Sequence, residues 1–199
     1  MRTYRATPAL CLGIAAVYGI ELARHAIADE AALLRLGALP NSGGLAGQYW
    51  RLVASAFLHF DALHLGLNVV ALWFVGRIVE RRLGSARVLL VYSCAALAGG
   101  VAILAWHAQH PTPGSSQGAS GGIFGLLAVG IVLAHRGTNP AASPSITLAL
   151  WAVLILGLAY SLVPGISMAG HLGGMAGGLL SLGLLTLVGS PGRMDARPD

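Results

Sequence analysis

Gly170-His171-Leu172-Gly173-Gly174-Met175-Ala176-Gly177-Gly178-Leu179-Leu180-Ser181-Leu182-Gly183-Leu184-Leu185-Thr186-Leu187-Val188 contains no Asp, Glu, Lys or Arg. As a helix rising ~1.5 Å per residue, such a run approaches the ~30 Å of a bilayer's hydrocarbon core. Five of its six glycines fall on two helical rows, Gly170, Gly174 and Gly178 on one and Gly173 and Gly177 on the next. Small residues in such rows let membrane helices approach closely. One histidine sits at its start. The stretch therefore reads as a membrane helix packed tightly against neighbours, with a polar group at one end.

The rest of the chain agrees. Of 199 residues, 56% are hydrophobic and only 10% charged, with a mean hydropathy of +0.74. Soluble domains are about one quarter charged, so lipid has to dissolve most of this chain and no length remains for a separate soluble domain. Apolar runs predict an all-α, polytopic bundle of six transmembrane helices in a single membrane domain, 1–199, with spans at 8–26, 62–79, 88–106, 120–135, 146–163 and 170–188. Cys11 and Cys94 lie in apolar runs, so neither a disulfide framework nor a cysteine metal site is expected. All twelve basic residues other than histidine are arginine. They are scattered between apolar runs, not gathered into a patch, which argues against nucleic acid and for orientation in a membrane. With the N-terminus inside, Arg2, Arg5, Arg77, Arg81, Arg82, Arg87, Arg136, Arg193 and Arg197 are cytoplasmic, and only Arg24, Arg35 and Arg51 are external. Both termini then form short cytoplasmic tails, and the loops around Ser42, Pro111 to Ser116 and Pro164 to Ser167 face outward. Basic Met1 to Arg5 and small-residue Ala26 to Ala28 resemble a cleaved signal, but a signal anchor suits the arginine distribution better. Arginine-only basicity and Ala/Gly richness suit a GC-rich bacterial genome and hence a bacterial inner membrane.

Polar residues at membrane depth are costly and are functional hypotheses by default. Four stand out: His64, Asn68, Ser120 and His171. The second, fourth and sixth spans all enter from outside, so all four side chains fall at one level in the outer part of the bilayer. His64 and Asn68, four apart, share a helix face. The fourth span is short, about 14 apolar residues or ~21 Å, which sinks Ser120 below the outer surface. The polar loop from His107 to Gln117 gives water a route, since irregular backbone at depth is tolerated where it lines an aqueous cavity. A serine there can act as a nucleophile when a histidine within hydrogen-bond reach takes its proton.

These residues resemble a known family. Gly118-Ala119-Ser120-Gly121 is similar to the Gly-x-Ser-Gly motif of rhomboid intramembrane serine proteases. His59-Phe60-Asp61-Ala62-Leu63-His64-Leu65-Gly66-Leu67-Asn68 looks like that family's second-helix signature, Gly170-His171-Leu172-Gly173-Gly174 its sixth-helix histidine motif, and Trp50-Arg51 the pair in its first external loop. Glu80-Arg81-Arg82-Leu83-Gly84 resembles the stretch closing its second helix. The likeness covers about residues 48 to 185, in the family's order; Gly170 stands where alanine is common. The resemblance implies that Ser120 is the nucleophile and His171 the general base of a dyad without an acidic member. It implies that His64, Asn68 and the Ser120 N–H stabilise the oxyanion, and that His59, Trp50, Arg51, Gly118 and Gly121 are structural. The substrates it implies are transmembrane segments of other membrane proteins, reached within lipid.

Other readings fit less well. A metal-dependent membrane protease needs a His-Glu-x-x-His helix, which is absent, so no metal or cofactor is expected. A transporter needs paired mid-membrane charges or repeated halves, whereas Glu21 is the single acidic residue inside a span. An inactive rhomboid-like protein that binds transmembrane clients is the serious alternative. Such relatives usually lack the serine or the histidine, and this chain keeps both. His25, His107, His110 and His135 read as loop or interface residues, and Met168 and Met175 as packing.

Overall fold

The structure is a computed structural model that describes residues 4–27, 29–136 and 144–188. Arg2, Arg193, Arg197 and Ala28, used above for orientation and for the cleavage-like stretch, lie outside the described residues. The described chain is helical: α1 (Ala6–Ala23), α2 (Glu30–Leu36), α3 (Arg51–Ala54), α4 (Ala62–Leu83), α5 (Ser85–Gln109), α6 (Ser120–Arg136), α7 (Pro144–Tyr160) and α8 (Met168–Val188). Two short strands, β1 (Leu39–Pro40) and β2 (Ser115–Ser116), pair antiparallel. Helices α1, α4, α5 and α8 are long and apolar enough to cross a membrane. Helices α6 and α7 are equally apolar in character but have 17 residues each.

Helix ends are set by caps, and so they depart from the ends of the apolar runs. Helix α4 continues past residue 79 through Glu80, Arg81 and Arg82, because charge ends an apolar run without ending a helix; Gly84, at φ +83°, does that. Helix α5 starts directly after it. Helix α1 begins at Ala6, ahead of the expected residue 8, because the Glu80 carboxylate accepts its first N–H groups, from Ala6 at 2.7 Å and Thr7 at 3.2 Å. A carboxylate at the positive end of a helix is favourably placed. The Ser85 hydroxyl donates to the same group at 2.6 Å, so the fully buried Glu80 is well bonded. This contact also gathers Arg5, Arg77, Arg81 and Arg82 at one end of the bundle. Pro144 opens α7, where its missing N–H costs nothing, and α7 ends at Tyr160, three residues short of the expected 163. Ser167 caps α8, its Oγ accepting from Gly170 N–H at 3.1 Å.

The connection from 24 to 61 is not a plain loop. Its helix α2 is capped by Asp29, whose carboxylate accepts from Ala32 N–H at 3.1 Å, and closed by Gly37 at φ +115°. Such short local helices leave no apolar period for a span-based reading to detect.

Helix α8 packs between α5 and α6: Gly174 and Gly178 face α6, whereas Gly173 and Gly177, and Gly170 against Ile103, face α5. A side chain at Gly178 would come within 2.5 Å of the Gly125 carbonyl oxygen on α6, and one at Gly174 would collide with the backbone of Gly121. On the other row, Gly177 lies against Ala98 of α5, where an added Cβ would meet the Ala98 Cβ at 2.5 Å. The main apolar core includes Leu72, Val75, Val88, Val91, Leu126, Leu127 and Leu150, all at most 1% exposed.

Gly178→Val should lower stability in detergent by about 2 kcal/mol or more through forced separation of packed backbones. Gly183→Ala, where nothing lies within 4 Å of the added carbon, should stay within about 0.5 kcal/mol of wild type. Similar thermal unfolding curves for the two variants would contradict this packing scheme.

Candidate active site

Three helix beginnings deliver the expected residues to one place. Asp61, in extended backbone, caps α4 by accepting the His64 N–H at 2.7 Å, which fixes the first turn bearing His64. Ser120 is the first residue of α6 and His171 lies in the first turn of α8. The Ser120 Oγ and His171 Nε2 are 2.8 Å apart across the α6–α8 crossing. His171 is 4% exposed and Ser120 half-buried.

The imidazole is fixed from several sides. Phe124, one turn along α6 from Ser120, stacks on it with centroids 4.1 Å apart and planes 7° from parallel. Phe124 in turn rests on Gly157 of α7, where an added Cβ would meet the ring at 2.7 Å. The second ring nitrogen, Nδ1, lies 2.6 Å from the Ser161 Oγ. Neither Phe124 nor Ser161 was singled out in the sequence. The four-residue spacing from Ser120 to Phe124 was a usable signal, since it puts the two on one face. Ser161 lies inside the apolar run 146–163, with no motif around it, and carries no such signal.

His64 faces the same space. A Cβ on Gly118, which has φ +141°, would stand 2.8 Å from His64 Cε1, 3.1 Å from its Nε2 and 3.7 Å from Ser120 Oγ. Glycine at 118 thus serves both the backbone conformation and the approach of His64 to the serine. Asn68 is buried one turn further on, its Nδ2 donating to the His64 carbonyl at 3.1 Å, which leaves its second amide hydrogen for other use. A cavity of about 40 Å³ adjoins Ser120 and is lined by His64, Gln117, Gly118, Ser167 and Gly170 among others. That is room for a few water molecules.

The loop before α6 is strapped in place. Leu39 pairs with Ser116 and Pro40 with Ser115, the Gly118 N–H donates to the Ser55 carbonyl at 2.9 Å, and the Ser116 hydroxyl bonds Asn41 Oδ1 at 2.7 Å. The other half of the strap is held by Arg51. Its guanidinium donates to the carbonyls of Leu34 and Ala38, at 2.5 and 2.9 Å, and to Gln48 Oε1 at 2.6 Å. Trp50 covers Gly37, leaving no room there for a side chain. Trp50 and Arg51 therefore touch the site only through the first connection.

His59, fully buried, lies beside His64 with ring centroids 5.1 Å apart. Its N–H donates to the Glu21 carboxylate at 2.9 Å and its Nδ1 to the Phe57 carbonyl at 3.2 Å, so it ties α1 to the entry of α4. Burial, and then the neighbouring His64 ring, hold the His59 imidazole down at about 4.

A rhomboid domain model matches residues 46–187. The chain belongs to the rhomboid family. Among its relatives, rhomboid protease GluP of Bacillus subtilis (strain 168) is 35% identical over 165 residues, covering 78% of this chain and 30% of that protein. Rhomboid-type serine protease 2 of Emericella nidulans is 33% identical over 144 residues, 70% of this chain and 27% of that one. Rhomboid protease GlpG of Yersinia pestis (strain Pestoides F) is 29% identical over 156 residues, 77% and 54% of the two chains. This rhomboid chain thus spans between about a quarter and a half of the length of these relatives. Family membership and the apolar helices make it an integral, multi-pass membrane protein.

The chemistry open to this rhomboid site follows from its parts. A hydroxyl bonded to a buried imidazole nitrogen suits general-base activation. The amino ends of α4, α6 and α8 converge there, and helix amino ends carry partial positive charge that favours a developing anion.

For His59, the folded pKa lies below the usual value of about 6.5, so folding favours the neutral ring. That contribution is complete above the unfolded pKa and is lost as pH falls toward the folded one. His59→Gln should be less stable than wild type near pH 7, for want of the bond to Phe57, yet its unfolding midpoint should drop less between about pH 7 and pH 5. Equal pH slopes would remove His59 as a source of acid lability.

Proposed function

We propose that the chain is an intramembrane serine endopeptidase that cleaves transmembrane segments of other membrane proteins. The single observation that carries this reading is the 2.8 Å contact between Ser120 Oγ and His171 Nε2 in a buried site. Ser120 attacks the scissile carbonyl while His171 accepts its proton, and His171 then returns that proton to the leaving amine. Water hydrolyses the acyl-enzyme by the same route. The tetrahedral oxyanion is stabilised by the Ser120 N–H, by His64 and by the Asn68 amide. A residue opening a helix has no intrahelical acceptor for its N–H, which supports the first of these; the placement of His64 against Gly118 supports the second.

In this reading all six long helices span the bilayer. At 17 residues, α6 and α7 are at the short end of the range that suffices. Both termini are cytoplasmic, the arginine-rich end that includes Arg77, Arg81 and Arg82 faces inward in a bacterial inner membrane, and the site lies toward the outer side. A substrate helix offers no free carbonyl while its backbone bonds are intact, so segments that unwind easily are cut first.

Purified protein in liposomes with a model transmembrane substrate tests the proposal. Wild type should cleave, whereas Ser120→Ala and His171→Ala should each lose about a thousandfold or more in kcat. Asn68→Ala should lose about ten- to a thousandfold, as for other oxyanion donors. A fluorophosphonate probe should label wild type and spare Ser120→Ala. Equal turnover in wild type and both dyad variants would sink the protease reading, and binding of substrate without labelling would favour a client-binding rhomboid relative.

A further inference from the structure

We propose that Ser161 is a positioning residue that fixes the tautomer of His171 and couples its charge to the carboxyl end of α7. This rests on the Ser120–His171 reading above. Ser161 directly follows α7, is 6% exposed, and its Oγ lies 2.6 Å from His171 Nδ1 and 2.9 Å from the Gly157 carbonyl oxygen. A serine hydroxyl has one proton and two lone pairs, whereas a carbonyl only accepts. The Ser161 proton therefore goes to Gly157, and Oγ receives a proton from Nδ1. His171 then carries its hydrogen on Nδ1 and presents a bare Nε2 to Ser120. The bonds run one way, from Ser120 O–H to His171 Nε2, from His171 Nδ1–H to Ser161 Oγ, and from Ser161 O–H to the Gly157 carbonyl.

The direction matters because the opposite tautomer is inert. With Nε2 protonated, the ring meets Ser120 with a donor and cannot take its proton. Turning Ser161 around to donate to Nδ1 would give up its hydroxyl bond to Gly157 and produce that inert form.

Charge adds a second element. His171 lies in the first turn of α8, and the amino ends of α4 and α6 are close by, so the local helix dipoles oppose an imidazolium. Gly157 belongs to the last turn of α7, where that helix's dipole has its negative end; its carbonyl also accepts the Ser161 N–H at 3.1 Å. Through Ser161 this end reaches Nδ1. When His171 takes the Ser120 proton, the new positive charge is met by a hydroxyl backed by helix carbonyls, a duty that an aspartate performs in soluble triads.

The test combines kinetics with nitrogen-15 NMR of protein labelled at histidine, with the His171 signals assigned by their loss in His171→Gln. Wild type above the titration range should show a protonated Nδ1 and a bare Nε2. Ser161→Ala and the near-isosteric Ser161→Cys should both shift toward the Nε2–H form and lower kcat by about ten- to a hundredfold, with KM changed less than about twofold. Ser161→Thr, which keeps the hydroxyl, should restore the wild-type tautomer and most of kcat. Wild-type tautomer in the Cys variant, or full kcat in folded Ser161→Ala, would overturn the role assigned to Ser161. If wild type proves no more active than Ser120→Ala, the protease reading fails on its own, and the tautomer measurement still decides for or against Ser161.

Discussion

The site depends on how closely the backbones of α6 and α8 can approach. A serine side chain is short, and its hydroxyl reaches an imidazole on another helix only if nothing bulky stands between the two backbones. Gly121 and Gly125 on α6, against Gly174 and Gly178 on α8, remove that obstruction. In lipid there is little hydrophobic gain in bringing helices together, so close van der Waals packing of this kind has to hold them. The same glycines thus supply cohesion and geometry. Gly99 of α5 completes the arrangement, since a side chain there would come within 2.8 Å of the Gly170 carbonyl oxygen.

Around that crossing, capping does much of the placement. Asp61 orders the turn that carries His64, Ser167 orders the turn that carries His171, and the strap between β1 and β2 sets where α6 begins. Each is a hydrogen bond worth about 1 kcal/mol in the usual exchange with water. Its loss at depth costs more, because a donor stranded away from water has no alternative partner. Glu80 does the corresponding work at the opposite end, holding the start of α1 against the close of α4. The two ends of the bundle are therefore pinned by polar contacts and its middle by apolar packing.

What the residues disclosed in advance follows from this division. Charge-free runs located the long helices, because exclusion of charge from hydrocarbon is a strong and local signal. His64, Ser120 and His171 stood out because each is a polar residue where polarity is costly, and the two glycine rows of α8 were visible as simple periodicity. Residues whose importance comes from what they touch remained silent. Helices α2 and α3 are too short to show a period. Glu80 looked like a helix end, and its capping of a different helix depends on the fold. Ser161 sits among Tyr160, Leu162 and Val163 with no motif around it, and only the return of the chain from Val163 to Ser167 brings it to His171 Nδ1. Phe124 is one more apolar residue in the sequence, and only the fold lays its ring flat on the imidazole.

Among the described residues no acidic side chain bonds His171, and this has a physical rationale in the lipid setting. A carboxylate on Nδ1 would have to be kept ionised away from water, at an effective penalty of several kcal/mol before any attraction is counted. On the proposed mechanism it would also bring a full negative charge into a pocket where a second one, the oxyanion, would develop. A hydroxyl resting on the end of a helix avoids both difficulties. The dipole contributes roughly half a charge, it is already present in the folded backbone, and it needs no proton to be removed. Placed on the Nδ1 side, it lies behind the imidazole, away from the amino ends that favour the oxyanion. On the proposed mechanism, positive and negative helix ends bracket the ring in the order in which charge would separate during attack, the anion by α6 and the cation toward α7. For a base buried away from water, as His171 is in the proposed mechanism, this arrangement of fixed dipoles costs less to bury than an ion pair and leaves less to reorganise when the proton moves.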